Sequence, residues 1–408
     1  MTRGLRVAHL TTVDSSLWYL LRPQLRAVLD GGGEVLGISA PGPDVARLEA
    51  DGVRHLPLAS SSRGWGLRAD LRAAYDLWRL LRRERPDVLH THNPKPGLYG
   101  RVVGRLTGVP VVVNTVHGLY VRPGAGWRNA VVLALEAVAA TCSDAELVQN
   151  EEDLDLLRRR RLVRRGQARL LGNGVDLRRF RPPGVAGGAT VADADLAAKE
   201  RAEARSMLGV TDDDLVLVGA VGRLVAEKGF PELFAAAARL RERFGDRVEV
   251  VVVGPDDPAK PDRVAPAQCA DAQAAGVRFL GHRDDVDLLY RGLDVFVLAS
   301  HREGFPRAAM EAAASGVPVV ATDIRGCRQV VEDDVTGLLV PVRDPAALAA
   351  AIGDLVEDPA RRAAMGAAAV ARARTDFDEQ QVVGTVLATY AEVAARKGVT
   401  AALRVPAN

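Results

Sequence analysis

Short apolar runs alternate with helical patterns along almost the entire chain, and this alternation restricts the possible folds more than any other feature. In the first half the strand-like runs are Val7–Leu10, Val35–Ser39, Val88–His90, Val109–Val113 and Glu146–Gln149. Between them lie segments with apolar residues at three- and four-residue spacing, namely Trp18–Leu29, Leu67–Arg83, Leu98–Leu106 and Arg128–Thr141. Such alternation predicts βα units assembled around a parallel sheet.

The second half repeats the alternation and predicts a second domain. Its strand-like runs are Leu215–Val221, Val248–Gly254, Val277–Leu280, Val295–Ala299, Val317–Ala321 and Leu338–Val340. Its helical patterns are Pro231–Arg243, Pro266–Ala275, Val286–Leu293, Pro306–Ser315, Pro345–Val356 and Glu379–Lys397. The Pro- and Gly-rich segment Pro182–Thr190 separates the halves. We therefore predict an α/β protein with two Rossmann-like, doubly wound parallel-sheet domains, residues 1–180 and 181–378, which face a ligand-binding cleft.

Composition excludes several classes of protein. The 54 basic and 52 acidic residues leave a net charge of +2, so the overall charge does not favour a nucleic-acid partner. Cys142, Cys269 and Cys327 lie far apart without a CxxC pair, which indicates a reducing compartment and neither disulfides nor a zinc site. The first ten residues lack a signal-peptide core, and no apolar stretch is long enough to span a membrane. These features predict a cytoplasmic protein.

The segment from Ser300 to Gly316 carries two glutamates in a strand–loop–helix arrangement. Glu303 lies in the loop with Gly304, and Glu311 lies in the helix, whose first residue we expect to be Pro306. Two carboxylates at this separation suit contacts with different hydroxyls of one extended ligand, while the free amides of the helix start suit an anion. The alternative is one loop glutamate and one solvated helix glutamate.

Two cations follow the first strand of the second half. Arg223 and Lys228 lie five residues apart in a strand–loop–helix turn, where they could bind a diphosphate from two sides. Solvated surface charges are the alternative. The turn is not a Walker loop, and the first strand of the chain lacks a G-x-G-x-x-G fingerprint, which argues against nicotinamide and flavin enzymes.

Four positions in the first half are candidates for contacts with a ligand. His117 follows a strand and should lie at the rim of the sheet, where a histidine can contact a sugar hydroxyl or remain without a role. Lys95 lies at a helix start and suits a second phosphate site. Ser15 and Ser16 could contact an anion or an acceptor, or serve as an N-cap.

We predict no metal site. His90 and His92 are expected to point to opposite faces of their strand, and no carboxylate or cysteine completes a ligand set. The D-x-D triplets of the chain lie at helix starts or in polar linkers, where capping and solvation explain them.

Two segments have a basic pattern of the kind that can bind an anionic membrane surface. Arg158–Arg165 contains six arginines in eight residues, which indicates either a solvated helix end or a site for anionic lipid headgroups. The basic amphipathic stretch Trp65–Arg83 is interpreted as an ordinary packed helix.

Together these motifs resemble the family 4 type of retaining glycosyltransferase, which has the GT-B fold. The most specific part is the E-x7-E stretch Glu303–Glu311, followed by Ser315-Gly316-Val317-Pro318. The resemblance also rests on Gly222-Arg223-Leu224 with Glu227-Lys228-Gly229, Asn173-Gly174-Val175-Asp176 with Phe180, and Val335-Thr336-Gly337-Leu338. It extends over nearly the whole chain, and it implies that a C-terminal helix, residues 379–408, packs back on the N-terminal domain.

The resemblance implies a nucleotide-sugar donor, expected to be a UDP-sugar, on the C-terminal domain. Arg223 and Lys228 would contact its diphosphate, Glu311 the ribose hydroxyls and Glu303 the transferred sugar. Backbone amides around the segment Gly304, Phe305 and Pro306 would meet sugar or phosphate, and His117 would contact the donor sugar. Transfer would retain the anomeric configuration without a protein nucleophile, a metal or another cofactor. The catalytic residues of this hypothesis are Glu303, His117, Arg223 and Lys228.

On the acceptor side, the run His90–Gly97, together with Gly100-Arg101 and Thr115–Gly118, resembles bacterial members that extend sugars on undecaprenyl diphosphate. Asn93, Lys95, Ser15 and Ser16 are then expected near the acceptor, and Arg158–Arg165 at the inner face of the cell membrane. Many members carry glycines after the first strand, where this chain has Asp14-Ser15-Ser16. The alternatives are a nucleotide-sugar epimerase or hydrolase of the same fold, and a catalytically silent donor-binding subunit.

Overall fold

The computed structural model of the chain describes residues 3–61, 66–92, 94–119, 126–185, 193–212, 214–258 and 260–401. The chain divides into two compact units. The first comprises Met1–Gly172 with Gln380–Asn408, and the second comprises Asn173–Glu379. The boundary predicted between residues 180 and 181 lies eight residues later than this one.

The first unit contains a seven-stranded parallel sheet with the order β3-β2-β1-β4-β5-β6-β7. Its strands are β1 Arg6–Val13, β2 Glu34–Ala40, β3 Arg54–Pro57, β4 Val88–His92, β5 Val111–Val116, β6 Ala145–Val148 and β7 Ala168–Leu170. Its helices are α1 Asp14–Ser16, α2 Arg22–Asp30, α3 Val45–Ala50, α4 Leu67–Glu84, α5 Pro94–Leu106, α6 Gly126–Ala140 and α7 Glu151–Arg159, with a π-helical turn at Leu17–Leu21. The strand order reverses beside β1, as in a doubly wound sheet.

The second unit contains a six-stranded parallel sheet with the order β10-β9-β8-β11-β12-β13. Its strands are β8 Val216–Val221, β9 Val248–Val253, β10 Val277–Phe279, β11 Val295–Leu298, β12 Val319–Thr322 and β13 Gly337–Val340. Its helices are α8 Ala194–Met207, α9 Phe230–Phe244, α10 Pro266–Ala274, α11 Val286–Gly292, α12 Arg307–Ala314, α13 Arg325–Arg328, α14 Pro345–Glu357 and α15 Pro359–Asp376, with 3-10 turns at Ala226–Lys228 and Gly245–Arg247. Two parallel-sheet Rossmann-like domains confirm the predicted fold class.

The last helix, α16 Glu379–Arg396, covers one face of the first sheet. Its buried residues Val383, Leu387 and Tyr390 pack in one apolar cluster with Val7 of β1 and Val88 of β4. The opposite face packs against α4 and α5. Because both faces of the strands are covered, most strand residues of this sheet are buried, as expected for parallel strands.

Sequence periodicity does not reveal several short elements. The strand β3 reads Arg-His-Leu-Pro and β7 reads Ala-Arg-Leu, and neither is an apolar run. The long helix α15 is also absent from the predicted elements, although Asp358 caps its start by accepting a hydrogen bond from the backbone amide of Arg361. Among the described residues, no helix combines the length and apolar character needed to cross a membrane.

Candidate active site

Lys228 and Glu303 meet at the carboxyl edge of the second sheet. Lys228 ends the 3-10 turn after β8 and Glu303 lies in the loop after β11, and these two strands are neighbours. The ammonium nitrogen Nζ of Lys228 lies 2.6 Å from Oε1 of Glu303, and the Ser300 hydroxyl donates to the same oxygen at 2.7 Å. Because both contacts use Oε1, the second carboxylate oxygen, Oε2, can accept a hydroxyl from a ligand.

Two glycines allow this close approach of loops. Gly229 has a φ of +73°, and a Cβ atom there would lie 1.9 Å from the carbonyl oxygen of Ala299, at the end of β11. At Gly326, in α13, a Cβ atom would lie 2.5 Å from the carbonyl oxygen of Glu303. Side chains at either position would push the loops of Lys228 and Glu303 out of place.

Arg223 lies on the same edge of the sheet. One guanidinium nitrogen is 2.9 Å from Oδ2 of Asp257, in the loop after β9, and the side chain is 43% exposed. A second layer of contacts joins the 3-10 turn and α9 to the Glu303 loop. Arg302 forms an ion pair with Glu227 at 2.7 Å, and Nε2 of His301 lies within hydrogen-bonding distance, 2.9 Å, of Oε1 of Glu232. These contacts hold the segments that carry Lys228 and Glu303 without occupying either side chain.

Glu311 lies in α12, a helix that begins one residue later than we predicted. Pro306 is its N-cap and Arg307 its first residue. The Tyr290 hydroxyl donates to Oε2 of Glu311 at 3.2 Å, and Arg307 lies 3.7 Å from Oε1. Burial raises the pKa of Glu311, and the nearby Arg307 and Tyr290 oppose that shift. A solvated helix glutamate is therefore excluded, because only 14% of the side chain is exposed.

The residues between the two glutamates form the turn into α12. The carbonyl oxygen of Phe305 accepts a hydrogen bond at 3.2 Å from the side-chain amide of Asn173, a residue of the Asn173–Asp176 motif. Gly304 and Pro306 complete the turn, and both are at least partly buried. The structure thus places the whole Glu303–Glu311 segment on one edge of the second unit.

In the first unit, His117 directly follows β5. Its Nε2 lies 3.2 Å from Nδ1 of His92, on the neighbouring strand β4. Burial lowers the pKa of His117 to about 4, and a hydrogen bond with the Gln149 side chain opposes the shift. The imidazole is therefore neutral at pH 7, and it can exchange hydrogen bonds but carries no charge to a ligand.

His90 and His92 lie on the same face of β4, and our expectation of opposite faces was wrong. Side chains two residues apart in a strand share a face, because the pleat has a period of two. The two ring centroids are 4.1 Å apart. Both residues are buried.

Lys95 makes an ion pair with Asp70 of α4, at 2.5 Å, and only 9% of its side chain is exposed. A phosphate group at Lys95 would have to replace Asp70. Ser15 and Ser16 lie in the short helix α1 and are half-buried. Asn93 lies outside the described residues, so its predicted contact with the acceptor stays a prediction.

The burial of one charge in the first unit, Arg101, was not predicted. Arg101 of α5 is 1% exposed and lies between Glu146, at 2.8 Å, and Glu136 of α6, at 2.6 Å. The sequence does contain a signal: Glu136 interrupts an otherwise apolar helix, and Arg101 follows Gly97 and Gly100 in one motif. Arg101 and Glu136, with Leu98 and Leu135, line a pocket that also reaches His117.

Comparison with known proteins identifies the family of the chain. Residues 3–174 match the family described as Glycosyl transferase 4-like domain, and residues 203–372 match Glycosyl transferases group 1. The chain is 32% identical over 300 residues to UDP-Gal:alpha-D-GlcNAc-diphosphoundecaprenol alpha-1,3-galactosyltransferase of Escherichia coli, which covers 72% of each chain. It is 25% identical over 379 residues to the capsular polysaccharide biosynthesis glycosyltransferase CapM of Staphylococcus aureus, covering 92% of this chain and 94% of the relative.

A solved structure shows the same fold. Sucrose-phosphate synthase from Thermosynechococcus elongatus superimposes with a TM-score of 0.77 over 96% of this chain and 100% of that one, at 23% sequence identity. The two matching families, the similarity in sequence and this fold lead to one conclusion. The chain belongs to the glycosyltransferases of the GT-B fold.

Proposed function

We propose that the chain is a retaining hexosyltransferase that moves a sugar from a UDP-sugar to a saccharide linked to undecaprenyl diphosphate. The observation that supports it most is the contact of Lys228 with Glu303, on the same sheet edge as Arg223. Two cations suit a diphosphate and a carboxylate suits sugar hydroxyls, which are the two ends of a nucleotide sugar. The Escherichia coli relative is named for UDP-Gal and for a GlcNAc-diphosphoundecaprenol, and we extend both substrate classes to this chain.

In the proposed reaction the bond between the anomeric carbon and the diphosphate breaks, and the acceptor hydroxyl attacks from the same face. The hydroxyl oxygen forms the new bond to the anomeric carbon, and its proton passes to the departing phosphate oxygen. Arg223 and Lys228 stabilise the charge that develops on the leaving diphosphate, and losing one such contact typically costs about 10²–10³ in rate. Glu303 accepts a hydroxyl of the sugar through Oε2, Glu311 binds the ribose, and His117 contacts the donor sugar as a neutral imidazole. Because Arg223 and Lys228 supply the positive charge, the proposal needs no metal.

We also propose that the protein contacts the cytoplasmic face of an anionic membrane, through a layer of helices in the first unit. On α4 the side chains of Leu67, Leu71, Tyr75 and Trp78 are 40–77% exposed, contrary to our interpretation of this stretch as an ordinary packed helix. On α6 the side chains of Trp127, Val131, Leu135 and Val138 are 46–73% exposed, at the same helical spacing. Both helices pack against α5, so the two apolar stripes belong to one layer.

Charge complementarity favours an anionic lipid surface as the occupant of this layer. Exposed arginines flank the apolar stripe of α4 at positions 68, 72, 79, 82 and 83, and the exposed Arg158–Arg161 follow in α7 and just beyond it. Apolar side chains enter the headgroup region while basic side chains bind the lipid phosphates, each worth on the order of 1 kcal/mol. Leu135 belongs both to this surface and to the pocket that reaches His117, which suits an acceptor presented from the membrane.

The test of activity combines a panel of UDP-sugars with three acceptor conditions: undecaprenyl-diphosphate-linked GlcNAc, a soluble sugar, and none. We expect UDP release only with the lipid-linked acceptor, an unchanged rate in EDTA, and retained anomeric configuration in the product by NMR. Release without acceptor would indicate a hydrolase, and conversion of the donor sugar would indicate an epimerase. A protein that binds UDP-sugar without turnover under every condition would be a silent subunit.

The test of membrane contact is flotation with vesicles that contain anionic lipid. We expect the double variant Val131→Ser, Leu135→Ser and the variant with Arg158–Arg161 replaced by serine each to reduce the bound fraction. Met207→Ser with Val335→Ser is the matched control, since both side chains are similarly exposed but lie in the second unit. Equal binding by all variants would contradict this assignment of the surface.

A further inference from the structure

Four imidazoles and one phenol form a continuous chain of contacts across the first sheet. His117 Nε2 lies 3.2 Å from His92 Nδ1, and His92 Nε2 lies 3.2 Å from His9 Nδ1 on β1. The hydroxyl of Tyr390, on α16, lies 3.5 Å from His9 Nε2 and 2.5 Å from His90 Nδ1.

The chain of contacts ends inside the protein. His90 Nε2 lies 2.7 Å from the Thr115 hydroxyl, on β5. Apart from His117, every ring in this series of contacts is buried, since α16 covers this face of the sheet. His117 is the member that is partly exposed. The chain of contacts therefore has one closed end and one end where a ligand can reach it.

These imidazoles are neutral. Burial lowers the pKa of His9 to about 3 and that of His117 to about 4. It holds the pKa values of His90 and His92 well below their ordinary value, and the neighbouring imidazoles lower them further. A neutral imidazole carries one N–H group and one acceptor nitrogen. In a contact between two ring nitrogens, one must therefore donate and the other accept.

This requirement passes from ring to ring. If His117 donates from Nε2, then His92 must accept at Nδ1 and donate from Nε2, and His9 must do the same in turn. If His117 accepts at Nε2, every ring adopts the opposite tautomer. The chain of contacts thus has two self-consistent directions, and the proton position on His117 is tied to the groups at the far end.

The contacts of Tyr390 select between the two directions. A phenol is a stronger acid than a neutral imidazole, and the shorter of its two contacts, at 2.5 Å, is the one with His90. The phenol therefore donates to His90 Nδ1, so His90 donates from Nε2 to Thr115 and the phenol oxygen accepts from His9 Nε2. In this direction His117 carries its proton on Nε2 and its Nδ1 is an acceptor. The side chain of Gln149, which forms a hydrogen bond with His117, has both a donor and an acceptor and is compatible with this direction.

We propose that His9, His92 and Tyr390 are positioning residues that hold His117 in the Nε2–H tautomer, so that Nδ1 accepts a hydrogen bond. The link to catalysis rests on the proposed function, in which His117 contacts the donor sugar. The tautomer itself does not depend on that function. Protons keep their places in this relay, and no group is oxidised or reduced.

A metal ion is the competing explanation of the cluster, because ligand nitrogens of His9, His90 and His92 lie within 4.8 Å of one another. The contacts favour the hydrogen-bonded chain. Each ring nitrogen of these three residues already has a partner at 3.5 Å or less. A metal would have to break several of those contacts in a site without a carboxylate or thiolate ligand among the residues that the structure describes.

The test uses the full chain labelled with 15N-histidine. Long-range 1H–15N correlation spectra at pH 7.5 should show His117, His92, His9 and His90 as neutral Nε2–H tautomers. The variant Tyr390→Phe removes only the hydroxyl, three contacts away from His117. We expect it to convert the His117 signal into a mixture of tautomers and to lower kcat by about tenfold, with the KM for UDP-sugar unchanged.

Replacement of His92 distinguishes its role in the hydrogen-bonded series from its role in packing. In His92→Gln the amide still offers one donor and one acceptor, so we expect tautomer and kcat to be largely kept. In His92→Leu both should be lost. Should the leucine variant fail to fold, the tyrosine and glutamine variants still decide the question.

Three outcomes would overturn the proposal. An unchanged His117 tautomer in Tyr390→Phe would show that the relay does not reach His117. Stoichiometric metal in the purified protein, whose removal by chelator shifts the imidazole signals, would establish the metal site instead. An altered tautomer with unchanged kcat would remove the link to catalysis. By contrast, full activity in His117→Ala would contradict the proposed function and leave the tautomer result standing.

Discussion

The carboxyl edges of the two sheets hold polar groups of opposite character. In the first sheet, His90, His92 and His9 belong to strands, are buried, and have pKa values so low that they are uncharged. In the second sheet, Lys228 and Glu303 belong to loops and form an ion pair, with 28% and 12% of their side chains exposed. The strand orders β2-β1-β4 and β9-β8-β11 are equivalent, so topology does not cause this difference.

The difference depends on whether the polar residue lies in a strand or in the loop that follows it. A strand residue in a parallel sheet is covered on both faces, so an ionisable side chain there must be neutral or paired. A loop residue keeps contact with solvent, and its charge can exchange one partner for another. The first edge is therefore suited to fix hydrogen-bond direction, and the second to exchange an internal carboxylate for a ligand phosphate.

The largest effect is expected from removing one charge of the second edge. Lys228→Met should lower the rate of sugar transfer by about 10³-fold, since it deletes the proposed contact with the leaving diphosphate. The melting temperature should change little, because a partly exposed ion pair contributes only about 1 kcal/mol or less to stability. Lys199→Met, on the exposed face of α8, is the control. Transfer by Lys228→Met at the rate of this control would contradict the assignment of the second edge as the donor site.

The next effect tests how the second edge is built. Gly229→Ala should destabilise the protein by roughly 3 kcal/mol, because the new Cβ would overlap the carbonyl oxygen of Ala299 in addition to the strain of a positive φ. Gly281 has a similar φ of +65° but open space around it. Gly281→Ala should therefore cost only about 1–2 kcal/mol. Equal losses in urea unfolding for the two variants would show that close packing at Gly229 is not needed.

A smaller effect tests the first edge. Since burial lowers the pKa of His9 to about 3, the unfolded chain binds its proton first as the pH falls. The stability that the folded state owes to a neutral, buried His9 is fully present above the unfolded pKa of about 6.5. It is lost as the pH falls towards about 3. In that window the His9→Gln variant should lose about 1.4 kcal/mol less per pH unit than the parent.

Urea unfolding between pH 7.5 and pH 4.5 measures this slope. His282→Gln is the control, because that side chain is 55% exposed and takes no part in the contacts among His9, His90, His92 and His117. A parent and a His9→Gln variant with parallel pH profiles would show that His9 is not held neutral by burial.

The sequence predicted the second edge better than the first. The segment from β11 through α12 to β12 combines apolar runs, helix formers and a terminal glycine, so local pattern alone defined its elements. Glu303, Arg223 and Lys228 were therefore placed on the correct edge from their positions after strands. The partners Asp257, Tyr290 and Ser300 were not predicted, because no local pattern links residues of different βα units.

The first edge depends on contacts that sequence spacing cannot show. Tyr390 and His90 are 300 residues apart and meet because α16 returns to the first sheet. Arg101 resembles a surface charge in the sequence, yet it is buried between two carboxylates. The faces of His90 and His92 could have been predicted, since a strand places residues i and i+2 together.

The smallest effect is a difference in salt dependence between the two edges. Interactions of the partly exposed Arg223 with a ligand diphosphate are screened by salt, whereas hydrogen bonds between buried neutral imidazoles are not. Raising the salt concentration from about 50 mM to about 500 mM should increase the KM for the UDP-sugar by roughly three- to fivefold. Arg223→Gln should start from a higher KM and show a weaker dependence, because one of the screened charges is gone. The His117 tautomer, measured in the same buffers, should stay constant. A tautomer that changed with salt would mean that charged groups influence the histidines of the first edge. The distinction between a charged edge and a neutral edge would then be wrong.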